Sequence, residues 1–168
     1  MSKLRMMMGC PGAGKSTYAK KMKSEYDVYV SRDEIRFSLV AEDAPYFSKE
    51  NEVFDKFVEA IDEGLRAIKT VWADATHLNK GSRMKLLNAL KEKPDDIEIV
   101  YIKVPLERCL EQNAMRKGTR AYVPEDILRD MHKHTSMPKY QEDKYIYTTI
   151  WVKEPEKIIF PIEKEDEE

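Results

Sequence analysis

The chain has 168 residues and a mass of 19.7 kDa, the size of one ordinary domain. Apolar residues make up 42% and charged residues 36%, which rules out a collagen-like or low-complexity chain and argues against wholesale disorder. The net charge of −2 argues against indiscriminate binding to nucleic acid. It is unevenly spread: residues 154–168 hold seven acids and two lysines, so residues 1–153 carry +3. The expected organisation is one domain over 1–153 followed by a solvated acidic tail, 154–168. No stretch approaches the roughly 18 consecutive apolar residues of a membrane helix. The start lacks the length and cleavage site of a signal peptide. Cys10 and Cys109 lie far apart, which suits a reducing cytosol more than a disulfide framework. A cytoplasmic protein with no membrane contact is expected, and a homo-oligomer is compatible with the composition.

Short β-like runs alternate with helical patterns. Leu4–Met8 reads as a buried strand ending at Gly9, Ser16–Lys23 as a helix and Asp27–Val30 as a second strand. Asp33 begins another helix. Over 48–68, Phe54, Phe57, Val58, Ile61, Leu65 and Ile68 recur every three or four residues and predict an amphipathic helix. Thr70–Asp74 is a strand, Arg83–Leu90 a helix, and Ile97–Val104 a strand bounded by prolines. Pro124 suits the first turn of a helix through Ile127–Met131. Tyr145–Val152 reads as a single last strand. This alternation predicts a parallel sheet covered by helices on both faces, with ligands at the carboxyl ends of its strands.

The most specific signal lies just past the first strand. Gly9-Cys10-Pro11-Gly12-Ala13-Gly14-Lys15-Ser16 fits G-x-x-x-x-G-K-[ST] at every fixed position, between a strand and a helix. Glycines let the backbone wrap closely, so N–H groups turn inward toward phosphate oxygens. The helix start adds its positive end. Lys15 offers a cation to the β- and γ-phosphates of ATP, and the Ser16 hydroxyl a ligand for Mg²⁺. Thr17 completes the phosphate-binding stretch.

Other polar groups should gather at the same sheet edge. Asp33 can accept the proton of an attacking hydroxyl, although an acid at a helix start can equally serve as a cap. Arg36, three residues on, can grip an anion on the acceptor or pair with Asp33. Asp74 can hold a Mg²⁺-bound water, orient Arg36 or cap a turn. Thr76 is a candidate acceptor contact, and His77 a surface polar residue. Arg116, Lys117 and Arg120 crowd a connection between two helices. They read as a solvated basic loop or as a lid over the β- and γ-phosphates. Cys10 sits where a thiol's pKa tends to fall.

Taken together these residues resemble the kinase domain of phage polynucleotide kinase and its P-loop relatives. The resemblance rests on Gly9–Thr17 with Cys-Pro inside the loop, Arg32-Asp33 with Arg36, and Asp74 with Leu78-Asn79. It continues with Asn113 and Arg116, Gly118-Thr119, and Val123-Pro124. It implies an α/β P-loop fold of the nucleoside-monophosphate-kinase type with a small lid. It also implies Mg·ATP-dependent phosphorylation of the 5′-hydroxyl of DNA or RNA, with the nucleic-acid 5′ end as partner. On that resemblance Lys15, Asp33, Arg36 and Arg116 are catalytic, with Asp33 the general base. Gly9, Pro11, Gly12, Ala13, Gly14, Lys15, Ser16, Thr17, Arg116 and Arg120 hold ATP, and Arg116 and Arg120 both remain candidates for the lid cation. Arg36, Asp74 and Thr76 face the acceptor, Arg36 gripping its phosphate and Asp74 supporting Arg36. The alternatives are a kinase for a small acceptor (nucleoside, nucleotide or sugar) and a regulatory ATPase, which would not need the Asp33/Arg36 pair.

Overall fold

The computed structural model describes residues 1–153; the acidic segment 154–168 lies outside the described residues. β1 (Lys3–Met8) leads through the glycine-rich loop into α1 (Lys15–Met22). β2 (Val28–Ser31) runs straight into α2 (Arg32–Leu39). α3 (Glu50–Arg66) precedes β3 (Thr70–Asp74), and α4 (Lys80–Ala89) precedes β4 (Asp96–Lys103). α5 (Leu106–Ala114) and α6 (Glu125–Lys133) follow, then the short strands β5 (Gln141–Glu142) and β6 (Tyr145–Ile146), and finally β7 (Thr148–Lys153).

Leu4, Met6, Met7 and Met8 are fully buried, with Arg5 the one polar residue among them, and a strand whose apolar side chains face both layers suits the centre of the sheet. β1 pairs with β3 on one side and β4 on the other, giving the order β2-β3-β1-β4-β7 with every pairing parallel. Helices cover both faces. Side chains alternate along β3. Asp74 points toward α1, where it meets Ser16. Val71 points the other way, toward Gly64 of α3. A β-carbon at Gly64 would lie 2.5 Å from Val71 Cγ2, so glycine permits the close helix–sheet approach. Connections leave β1 toward β2 on one side and return to β4 on the other. The loop after β1 therefore sits at the switch point of the sheet.

Several boundaries differ from the sequence expectation. The helix expected over 48–68 runs Glu50–Arg66, because Ile68 turns into the left-handed region (φ 59°) while Lys69 N–H bonds back to the Gly64 carbonyl. The helix expected from Arg83 starts at Lys80, capped by Asn79, whose side chain accepts from Ser82 N–H at 2.8 Å. The strand expected over 145–152 is broken at Tyr147. Its ring is buried and its N–H goes to the Tyr140 carbonyl, so β6 pairs with β5 in a separate hairpin and only β7 joins the main sheet. Among the described residues no helix is long and apolar enough to cross a membrane.

The hairpin is tied to α4 by a buried ion pair. Arg83 has no solvent exposure and donates to both Glu142 carboxylate oxygens at 2.8 and 3.0 Å, and to the His77 carbonyl at 3.0 Å. Removing one partner strands a buried charge. Glu142→Ala should lower unfolding free energy by about 3–5 kcal/mol in urea titrations. An Arg83→Met/Glu142→Leu double variant should lose much less.

Candidate active site

The loop after β1 is built by its glycines. Gly14 caps α1 in the left-handed region (φ 98°), leaving the N–H groups of the first turn without helical acceptors. Gly12 is also left-handed (φ 83°), and a β-carbon there would lie 2.8 Å from the Cys109 carbonyl. The loop is thus wedged against α5. Lys15 Nζ donates to the Cys10 carbonyl at 3.0 Å. Burial pushes the Lys15 ammonium below the ordinary lysine range, with Asp74 and Asp33 pulling the other way. Cys10 and Cys109 are buried free thiols beside one another. The hydrogen bond between them lowers the Cys10 pKa, aided by Lys15 and against burial, in the direction expected from the loop.

Ser16 Oγ donates to Asp74 Oδ2 at 2.6 Å, and the Tyr29 hydroxyl donates to the same oxygen. Burial and the Asp74 carboxylate both keep the Tyr29 phenol protonated. The hydroxyl and carboxylate are hard oxygen donors at the phosphate end of the loop. This donor set fits Mg²⁺, which is commonly held by one or two protein oxygens together with substrate phosphates. Among the described residues no group of three or more His, Cys, Asp or Glu could hold a metal alone.

On the facing side Ser31, not Asp33, caps α2, accepting from Glu34 N–H at 3.2 Å. That leaves the Asp33 carboxylate 57% exposed, lining the cavity. Its Oδ1 accepts from Arg36 Nη1 at 2.5 Å and from the Tyr46 hydroxyl at 2.8 Å. Among the described residues Oδ2 accepts nothing. Arg36 is 5% exposed. The structure pairs it with Glu50, at 3.1 Å from Nε and 2.7 Å from Nη2, and not with Asp74. Burial works against the Arg36 charge, and Glu50, Tyr46 and Asp33 more than offset it. Arg32 reaches Glu50 too, at 2.6 Å.

A cavity of about 710 Å³ joins the two sides. It is lined by Pro11, Gly12, Gly14, Lys15, Ser16, Thr17, Asp33, Arg36, Asp74, Thr76, Arg116 and Arg120. Gly9 and Ala13 shape the loop from behind: Gly9 N–H bonds to the Thr76 carbonyl, and Ala13 is buried. The basic connection bridges α5 and α6. Asn113 ties down its far end, donating to the Val123 carbonyl at 2.6 Å and accepting from Val123 N–H at 3.0 Å. Arg120 turns toward the end of α2, donating to the Phe37 and Val40 carbonyls and lying over the Phe37 ring at 4.8 Å. Arg116 has no side-chain hydrogen bond or ion pair among the described residues.

Tyr29, Tyr46 and Glu50 do not stand out in the sequence. Each is recognisable only by its partner. His77 is a correction: it is buried, left-handed (φ 43°) and packed against Phe57, with Nδ1 2.7 Å from the Met7 carbonyl. A carbonyl only accepts, which assigns a proton to Nδ1. Burial lowers the His77 pKa to about 4 from 6.5. The unfolded chain therefore binds the extra proton first on acidification. His77's contribution to stability is complete above pH 6.5 and is lost as pH falls toward 4. The slope should reach at most about 1.4 kcal/mol per pH unit. Urea titrations across that range should show it, and His77→Asn should flatten it.

These features, a switch-point phosphate loop with a carboxylate across a shared cavity, define the P-loop kinase fold class. The sequence profile of the AAA domain family (AAA_33) matches residues 4–138, and the chain belongs to that family. It is similar to the L-seryl-tRNA(Sec) kinase of Methanococcus maripaludis, 27% identical over 145 residues. That alignment covers 83% of this chain and 56% of the relative, so the chain spans little more than half the length of that curated protein. Among solved structures, a chain of the Pnkp1/Rnl/Hen1 RNA repair complex superposes with a TM-score of 0.64 at 20% identity, over 88% of this chain and 51% of that one. Chaetomium thermophilum Kti12 in complex with ADP-AlF3 superposes with a TM-score of 0.60 at 18% identity, over 88% of each chain. At such identities the superpositions establish the fold.

Proposed function

We propose that this protein transfers the γ-phosphoryl group of ATP to a hydroxyl, with Asp33 as general base, and that this hydroxyl is the free 5′ end of a DNA or RNA strand. The observation that carries the chemistry is the Asp33 carboxylate: exposed into the cavity that holds the phosphate loop, oriented through Oδ1, with Oδ2 left to take a proton. Lys15 and the loop N–H groups bind the β- and γ-phosphates. Ser16, with Asp74 behind it, would hold Mg²⁺, which supplies neutralisation of the phosphate charge. The acceptor oxygen attacks phosphorus as Asp33 removes its proton, the bond to the β-phosphate oxygen breaks, and ADP leaves. Arg116, which lines the cavity without a side-chain partner among the described residues, would offset charge on the transferring group. The 5′-hydroxyl reading is supported by the resemblance, which runs from about Leu4 to Lys133, and by the RNA repair complex among the structural neighbours. Two buried free thiols suit a reducing cytoplasm.

A second reading keeps this chemistry and makes the acceptor a small alcohol. The cavity favours it, since about 710 Å³ lies within the range of small-molecule sites.

The test is transfer of labelled γ-phosphate from Mg·ATP to a short oligonucleotide with a free 5′-hydroxyl. Lys15→Ala should abolish transfer. Asp33→Asn should slow it by about 10²–10⁴-fold while Mg·ATP binding persists. Undiminished transfer by Asp33→Asn would remove Asp33 from the chemistry.

A further inference from the structure

The acceptor side of the cavity carries charges that are already spent on one another. We infer that the group seated beside Asp33 is an uncharged alcohol recognised by aromatic contact, and that Arg36 is a strut for the base and not a clamp for an anion. The inference rests on the γ-phosphoryl-transfer reading above and, for the acceptor, favours its second form, a small alcohol, over a polynucleotide 5′ end.

A guanidinium has five N–H donors, and it grips phosphate through two that lie side by side. In Arg36 the Nε/Nη2 fork is closed by Glu50 at 3.1 and 2.7 Å. Nη1 donates to Asp33 Oδ1 at 2.5 Å and to the Tyr46 hydroxyl at 2.7 Å. The Tyr46 ring lies 4.4 Å from the guanidinium and the Phe47 ring 5.7 Å. An incoming phosphate would have to displace the Glu50 carboxylate from a 5%-exposed partner, exchanging one anion for another. The other cations lining the cavity on this side are turned to other partners. Arg32 gives Nη2 to Glu50 at 2.6 Å, with its Nε buried and unpartnered among the described residues, and Arg120 is turned to the carbonyls that end α2. Lys15 belongs to the phosphate loop, and Arg116 is near enough to it to lower the Lys15 pKa. Arg32 and Arg36 therefore face Asp33 and Glu50 with no positive charge to spare, and Glu42 adds an acid to the lining.

The surface left for recognition is aromatic. Phe47 is 63% exposed, lines the cavity and meets Tyr46 edge-on at 4.6 Å between centroids. A neutral ring, as in a sugar or nucleoside, can pack on that face while its hydroxyl reaches Asp33 Oδ2. A phosphate beside that hydroxyl would add a desolvation penalty and would have to draw a guanidinium away from the partners it already has.

The test compares matched acceptors with the intact chain and labelled ATP: uridine, D-ribose and glycerol, each beside a monophosphate of the same compound, with a 5′-hydroxyl oligonucleotide alongside. Expected is a kcat/KM for at least one neutral acceptor within about threefold of its monophosphate, or above it. A preference of about tenfold or more for the monophosphate, or labelling of the oligonucleotide alone, overturns the inference and leaves the kinase reading standing. Labelling of nothing in the panel overturns both. Glu50→Gln opens the fork while keeping a neutral hydrogen-bonding group. It should shift preference toward the monophosphate by about tenfold, and an unchanged preference overturns the strut assignment.

Discussion

Five strands running in the same direction must leave their carboxyl ends along one edge, and almost everything functional in this molecule follows from that constraint. The strand at the middle pays for its position with complete burial of Leu4, Met6, Met7 and Met8. Its reward is that the residues after it, Gly9–Ser16, emerge where the sheet order reverses. Ser31–Arg36 leave β2 at the same edge, and Asp74–Thr76 leave β3 there. Three segments distant in sequence thus converge on one cavity. Ser16 can meet Asp74 only because α1 returns across the face toward which Asp74 points.

Within that cavity the two sides are organised by different physics. The phosphate-loop side is a backbone site: glycine conformations, a helix start and one lysine. The facing side, at α2, is a side-chain site, held by a network of Arg32, Arg36, Asp33, Glu50 and Tyr46. Hydrogen bonds to charged groups contribute about 1.5–3 kcal/mol each, and a half-buried setting strengthens them. The network fixes Asp33 by one oxygen and leaves the other bare. Arg120 extends it into the α5–α6 connection, since its bonds to the Phe37 and Val40 carbonyls join that connection to the helix that carries Asp33.

The legibility of the sequence follows the range of the interactions. The phosphate loop could be read because its chemistry is local: glycines, lysine and serine at fixed spacing between a strand and a helix. Asp33 and Arg36 could be read because three residues along a helix bring side chains together, and they do pair. Glu50 could not, since it meets Arg36 through the tertiary folding of 40–49 and otherwise looks like an acid in a first helical turn. Asp74 was legible as a strand-end acid, but its partners were not; it bonds Ser16 and Tyr29 in place of Arg36. His77 looked like a surface residue because nothing nearby in sequence shows that α3 places Phe57 over it.

The sequence by itself determined the alternation of strands and helices, the phosphate loop and the family resemblance, because hydrophobic period, glycine placement and short motifs act within a few residues. Only the tertiary structure decided which charges neutralise which, that Arg120 turns to the end of α2 while Arg116 has no side-chain partner among the described residues, and that a strand pattern breaks at Tyr147. Those outcomes turn on burial and on contacts between segments far apart in the chain. There a side chain's role is set by which group arrives opposite it, and no local pattern encodes that.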